Sequence, residues 1–221
     1  MKIGIIGGTG GMGKGFAYRW CSNHDILIGS RDSSRATSVA DEYSRAAKEM
    51  FGDICDISGN DNNYVAKNSD VLILSIPYEN IDAVCSNLLG SIKDDCLVVS
   101  PIVPMIKTDI GFEFIPFKEN KPSAHKMVEK YMKDSSKLVS AFHVISEKKL
   151  ADPSMELNYD IFVCGDKSNL DVINGLINEI KGLRFIYIGT GDFAYMVEVS
   201  TPLLLNAMIK NKLKNPGIKI I

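Results

Sequence analysis

The chain has 221 residues, a formal charge of -2 at pH 7, 45% hydrophobic and 24% charged residues. That composition is globular, with length for one nucleotide-sized domain and a smaller appendage. The near-neutral charge and the lack of a Lys/Arg-dense segment argue against nucleic acid as a partner. No apolar run approaches the roughly 18 residues that span a bilayer, so no membrane association is expected. The chain enters an apolar strand at once, without the basic segment and cleavage site of an exported protein, so a cytoplasmic location is expected. Five cysteines, Cys21, Cys55, Cys85, Cys96 and Cys164, are odd in number and form no C-x-x-C pair. They read as reduced thiols that pack as small hydrophobes.

Residues 2–6 predict a buried parallel strand, and Phe16, Ala17 and Trp20 give the apolar spacing of a following helix. Between them Gly8, Gly10 and Gly13 fit G-x-G-x-x-G. A strand before that motif and a helix after it make a dinucleotide fingerprint. In that reading Gly8 permits the tight turn, Gly10 lets the backbone approach a pyrophosphate, and Gly13 allows close helix packing. The loop residues Thr9, Gly11 and Met12 complete the phosphate cradle, and the helix N-terminus faces the negative charge.

A second strand, Ile26-Leu27-Ile28-Gly29, ends in Ser30-Arg31. An acid at that tip would bond the ribose 2′-hydroxyl of NAD, whereas arginine offers a forked, charged donor to a 2′-phosphate. Ser30 and Thr9 add hydroxyl donors, and NADP is favoured. The competing reading makes Asp32 the ribose acid; beside Ser33, however, Asp32 suits the start of the next helix.

Helical composition follows over residues 35–50, then short apolar segments near residues 54–57 and a strand Val71-Leu72-Ile73-Leu74. Residues 81–89 have helical spacing, and Cys96-Leu97-Val98-Val99 predicts another buried strand. Proline and glycine interrupt residues 101–122, read as an irregular excursion before a helix over 123–133. Residues 138–142 predict a sixth strand. The alternation specifies an α/β fold, a Rossmann-type doubly wound parallel sheet, with residues 1–140 as the NADP-binding domain. Residues 141–221 predict a smaller C-terminal α/β unit: strands over 161–164 and 185–188, a helix over 170–180, and a last helix over 192–209 in which Pro202 removes a bond or marks a break.

Ligands in such sheets sit outside the carboxyl ends of the strands. The peptides there read Ser75-Ile76-Pro77 and Ser100-Pro101-Ile102-Val103-Pro104. Their prolines can stiffen a cleft wall beside a nicotinamide ring, although proline is also ordinary loop chemistry where a strand stops. His143 follows the sixth strand and is the polar candidate for acid, base or hydrogen-bond work, with a structural histidine as the competing reading. His24 and His125 lie in polar stretches and are expected at the surface. Three isolated histidines give no metal-ligand spacing, so no metal is expected.

These residues resemble the NADPH-dependent oxidoreductases of the deazaflavin coenzyme F420. The resemblance covers Gly7-Gly8-Thr9-Gly10, Gly29-Ser30-Arg31, Ser75-Ile76-Pro77, Ser100 to Pro104, Ser140-Ala141-Phe142-His143, Val163 to Asp166, Thr201 to Asn206 and Gly217-Ile218-Lys219. It implies reversible hydride transfer between NADPH and the deazaflavin, with Thr9, Ser30 and Arg31 on the 2′-phosphate and His143, Ile145, Thr201 and Pro202 lining the deazaflavin side. It also implies a homodimer, in keeping with the apolar stretch Leu203-Leu204-Leu205. Ser146, Tyr195 and Val199 depart from the family's proline, arginine and serine. Two other readings therefore stand beside it: a reductase of a flavin, ferric chelate or small imine or keto substrate, and a non-enzymatic NADP-binding sensor.

Overall fold

A computed structural model describes residues 1–214 and 216–221. Strand and helix alternate from the start: β1 (Lys2–Ile6), α1 (Gly11–Trp20), β2 (Asp25–Ser30), α2 (Ser33–Phe51), β3 (Ile57–Asp61), α3 (Asn62–Asn68), β4 (Val71–Leu74), α4 (Ile81–Leu88) and β5 (Leu97–Ser100). An antiparallel hairpin, β6 (Met105–Thr108) and β7 (Gly111–Phe114), precedes α5 (Ile115–Glu119), α6 (Ala124–Glu129) and β8 (Leu138–Ser140). The remainder holds α7 (Glu147–Leu150), β9 (Tyr159–Gly165), α8 (Leu170–Asn178), β10 (Leu183–Gly189) and α9 (Ala194–Asn211).

Eight strands form one sheet in the order β10-β9-β8-β5-β4-β1-β2-β3. From β3 across to β8 all neighbours are parallel, β9 is antiparallel to β8, and β10 is parallel to β9. This is the doubly wound α/β architecture that the alternation predicts. Chain order reverses between β1 and β4, and the loops leaving those strands open a crevice at the carboxyl edge.

The central strands are continuous apolar runs because helices cover both faces. Period-two alternation sends Ile3, Ile5, Ile73 and Val99 into one core and Ile6, Leu72, Leu74 and Val98 into the other. In the first core Phe16 stacks on Trp20 at 4.9 Å, and Phe142 meets Phe16 edge-on at 5.2 Å. The Trp20 indole donates to the Leu176 carbonyl at 3.0 Å. That bond ties α1 to α8, so residues from both ends of the chain share this core.

Several elements differ from expectation. The strand expected near residues 54–57 is β3, whose Ile57 alone is buried; as an edge strand it needs little apolar surface. Residues 101–122 contain the β6–β7 hairpin and α5, and the helix expected to reach residue 133 stops at Glu129. The strand expected through residue 142 stops at Ser140, because Phe142 takes a left-handed φ of +69°. α9 runs unbroken through Pro202. His24 and His125, expected at the surface, are buried. All five cysteines are free, and four of them are buried. No helix among the described residues is long and apolar enough to cross a membrane.

Candidate functional site: the carboxyl edge of the sheet

The backbone leaves β1 through Gly7, whose φ is +72°. A Cβ on Gly7 would lie 2.3 Å from the Ser75 carbonyl oxygen. The left-handed turn residue is thus Gly7, one position ahead of the Gly8 expected from the motif. Gly8 serves close approach instead: its N–H donates to Gly29 O at 3.0 Å and Ile5 O at 3.1 Å. A Cβ on Gly13 would lie 2.3 Å from Gly8 O, so the first turn of α1 rests on the loop. Above Gly10 the space is open, since a Cβ there would meet only Gly7 O at 3.6 Å. Thr9, Gly11 and Met12 line the rim, partly exposed. Gly10 has no side chain with which to cap α1, so the first amides of that helix face outward with the positive end of its dipole.

At the tip of β2, Ser30 is partly exposed and Arg31 exposed. The Asp32 carboxylate accepts from Ser34 N at 2.9 Å and Arg35 N at 3.2 Å, capping α2. Asp32 is engaged by its own helix as expected, and its amide donates to Ser30 Oγ at 3.3 Å. Arg31 forms no ion pair among the described residues and stands as the charged group at this tip.

Backbone contacts chain the remaining positions along the same edge. Ser75 N donates to Ile6 O at 3.0 Å, with Ser75 and Ile76 half-buried and Pro77 exposed. Ala141 N donates to Ser100 O at 3.2 Å, which sets the loop after β8 beside Pro101 and Val103. The left-handed turn at Phe142 drives its ring into the aromatic core and carries His143 to the edge. Thr201 Oγ1 donates to His143 O at 2.7 Å, fastening that loop to α9 next to the buried Pro202. Ile145 is buried in the same loop.

Among the described residues, His24 Nδ1, Asn62 Oδ1, Ser100 Oγ and both ring nitrogens of His143 are buried without a hydrogen-bond partner. All but the His24 atom lie at the carboxyl edge: Asn62 directly follows β3, Ser100 ends β5, and His143 lies in the loop after β8. Buried polar atoms are normally satisfied, so a row of unsatisfied ones on one edge suits a polar ligand laid along it. The uncapped α1 amides and Arg31 are donors that fit a dinucleotide phosphate backbone at one end, Ser100 Oγ and the His143 ring can meet a second polar ring at the other, and Asn62 Oδ1 can only accept. Burial pushes the His143 imidazolium down to about 3, so the ring is neutral near pH 7. Asn62 is the residue that sequence reading missed. Its only signal was a polar residue immediately after a strand, and that strand was itself expected too early.

The opposite pole is built differently. A cavity of about 200 Å³ lined by His125, Ser136, Asp166, Thr190 and Asp192 lies at the amino end of β8, away from the glycine loop. His125 Nδ1 and Ser140 Oγ are 2.9 Å apart, and burial pushes the His125 imidazolium down to about 4. Glu198 of α9 is fully buried and accepts from Ala124 N at 3.0 Å and His125 N at 2.9 Å, tying α9 to α6. No cluster of His, Cys, Asp or Glu suited to a metal occurs among the described residues.

The family described as NADP oxidoreductase, coenzyme F420-dependent, matches residues 2–104. Over all of this chain and 98% of the relative's, the sequence is 38% identical to the F420-dependent NADP reductase of Methanocaldococcus jannaschii. It is 31% identical to the protein of the same name from Methanothermobacter marburgensis, again over all of this chain and 98% of the relative's. A crystal structure of an Arthrobacter sp. FB24 protein, provisionally named an F420-dependent NADP reductase, superposes with a TM-score of 0.76 at 18% identity. That superposition covers 100% of this chain and 99% of the other, and at that identity it bears on the fold. Full-length identity and the doubly wound sheet agree: the chain belongs to the family of F420-dependent NADP reductases.

Proposed function

We propose that this protein catalyses reversible hydride transfer between NADP(H) and the deazaflavin coenzyme F420, along the carboxyl edge of the sheet. The observation that carries the reading is the edge itself: a phosphate cradle at β1 whose helix carries no side-chain cap, and an unsatisfied, neutral His143 beyond β8. When bound, the nicotinamide and the deazaflavin supply the redox chemistry between them. The chain's own task is position and electrostatics.

In this reading Gly8, Gly10, Gly11, Met12 and Gly13 hold the pyrophosphate, while Thr9, Ser30 and Arg31 hold the 2′-phosphate. Ser75, Ile76, Pro77, Ser100, Pro101 and Val103 wall the nicotinamide side. His143, Ile145, Thr201 and Pro202 line the second ring. Because the His143 ring is neutral near pH 7, it acts as a hydrogen-bond partner for that ring, and a proton needed by the acceptor comes from solvent. Holding two rings at a near-attack distance of about 3–3.5 Å contributes several kcal/mol without any covalent step. Residues 1–140 then form the nucleotide-binding part and 141–221 complete the cleft.

A cytoplasmic homodimer belongs to the same proposal. Leu203 on α9 is 66% exposed, Ile110 at the turn of the adjoining β6–β7 hairpin 73%, and Phe117 on α5 70%. Their covering by a second copy would bury an apolar face; sedimentation as a monomer at micromolar concentration would refute that part. For the reaction, NADPH and oxidised F420 are mixed anaerobically with the protein and the deazaflavin absorbance followed. Rapid loss with NADPH, little with NADH, and inversion or levelling of that preference in Arg31→Ala are expected. No loss despite NADPH binding would refute F420 as the acceptor.

A further inference from the structure

We propose that Glu147 is an affinity-setting residue of the dinucleotide cradle: its carboxylate stands over Gly11 at the head of α1 and must turn outward for a pyrophosphate to bind. This rests on the function proposed above. An ideal Cβ built on Gly11 would lie 1.9 Å from Glu147 Oε1 and 2.3 Å from its Cδ, so this side chain covers the Cα that begins α1. α1 carries no acid in its first turn and no side-chain cap at Gly10, and the Glu147 carboxylate lies against the first residue of that helix. A carboxylate is stabilised at such a position by the helix dipole, as a phosphate is, and the two repel each other there.

The backbone of α7 cannot withdraw to relieve that conflict. Leu150 packs on Gly15, where a Cβ would lie 2.6 Å from Leu150 Cγ. The Arg19 guanidinium of α1 donates to the carbonyls of Lys149 at 2.9 Å, Leu150 at 3.0 Å, Asp152 at 2.7 Å and Met155 at 3.0 Å. With α7 pinned to α1, only the Glu147 side chain can move. It is exposed and forms no ion pair among the described residues, so rotation into solvent is open to it. Glu147 therefore weakens dinucleotide binding and favours release, acting on the pyrophosphate rather than on the 2′-phosphate that Arg31 would read.

Calorimetric titration of NADPH, NADH and adenosine 2′-monophosphate into the wild-type protein, Glu147→Gln and Glu147→Ala tests this. Glu147→Gln removes the charge and keeps the shape. Both variants should bind NADPH and NADH about three- to tenfold more tightly at low salt, with the gain for Glu147→Gln shrinking as salt screens it. Adenosine 2′-monophosphate, which lacks the pyrophosphate, should bind all three alike. Unchanged or weaker dinucleotide binding by both variants, while wild type binds NADPH normally, would overturn the inference and leave the proposed function standing. Failure of the wild type to bind NADPH at all would overturn the proposed function and this inference together.

Discussion

Glu198 offers a test of the packing between α9 and α6 that needs no ligand. Burial pushes its carboxyl up from 4.5 to about 7, against the pull of the Ala124 and His125 amides. A rise of that size corresponds to about 3 kcal/mol of linkage between protonation and folding. Between pH 4.5 and 7 the folded protein holds a proton on Glu198 that the unfolded chain has lost. The stabilisation is therefore fully present below about pH 4.5 and is lost as pH rises through about 7. His125 and His143 work in the opposite sense, since burial pushes them down to about 4 and about 3 and their contribution is lost as pH falls. Tyr78 and Cys164, the other titratable groups that feel Glu198, are pushed up to about 12 and stay neutral throughout.

A difference measurement isolates Glu198 from these. Glu198→Gln is neutral at every pH and can offer one carbonyl oxygen to the two amides, a constant loss of about 1–3 kcal/mol. Urea unfolding of both proteins from pH 4.5 to 8 is the assay. Wild-type stability minus that of the variant should fall by about 3 kcal/mol across the range. A constant difference would refute the reasoning, because it would mean that Glu198 titrates alike in the folded and unfolded chains.

Three further substitutions probe the site. Asp32→Ala removes the cap of α2 and should cost about 1 kcal/mol in thermal unfolding while leaving the NADPH-to-NADH preference unchanged; a changed preference would make Asp32 a ribose ligand. Gly13→Ala sets a Cβ 2.3 Å from the Gly8 carbonyl, between two backbone segments that cannot yield. It should lose on the order of 1–3 kcal/mol of stability and most dinucleotide affinity, and wild-type affinity by calorimetry would refute that. His143→Phe removes two buried, unpartnered nitrogens and should raise the stability of the free protein by about 1–3 kcal/mol. The same variant should bind F420 less tightly, and lower stability with unchanged F420 affinity would show that His143 is a satisfied structural residue.

Much of the fold was legible because its signals are local. Residues 2–6 and 71–74 read as buried parallel strands, since a short, largely apolar run bounded by turn residues is what a strand covered by helices on both faces needs. The glycine spacing after β1, the arginine at the tip of β2 and the cap at Asp32 are likewise set by neighbours one to five residues away. These point to a phosphate cradle and to NADP, and they carry part of the family resemblance, from the chain alone. What depends on residues far apart in sequence was not legible. An edge strand such as β3 needs little apolar surface, and a hairpin such as β6–β7 hides among prolines, so neither announces itself by period. His125 reads as polar surface until α9 arrives to bury it. Glu198, Asn62 and Glu147 are ordinary polar residues in sequence, and α9, the end of β3 and the Arg19-pinned α7 give each its role. The sequence by itself determined which strands and turns could form and what charge stood at the cradle. Only the tertiary structure decided which polar atoms were carried out of water beside it, because burial is a property of elements that meet across more than a hundred residues.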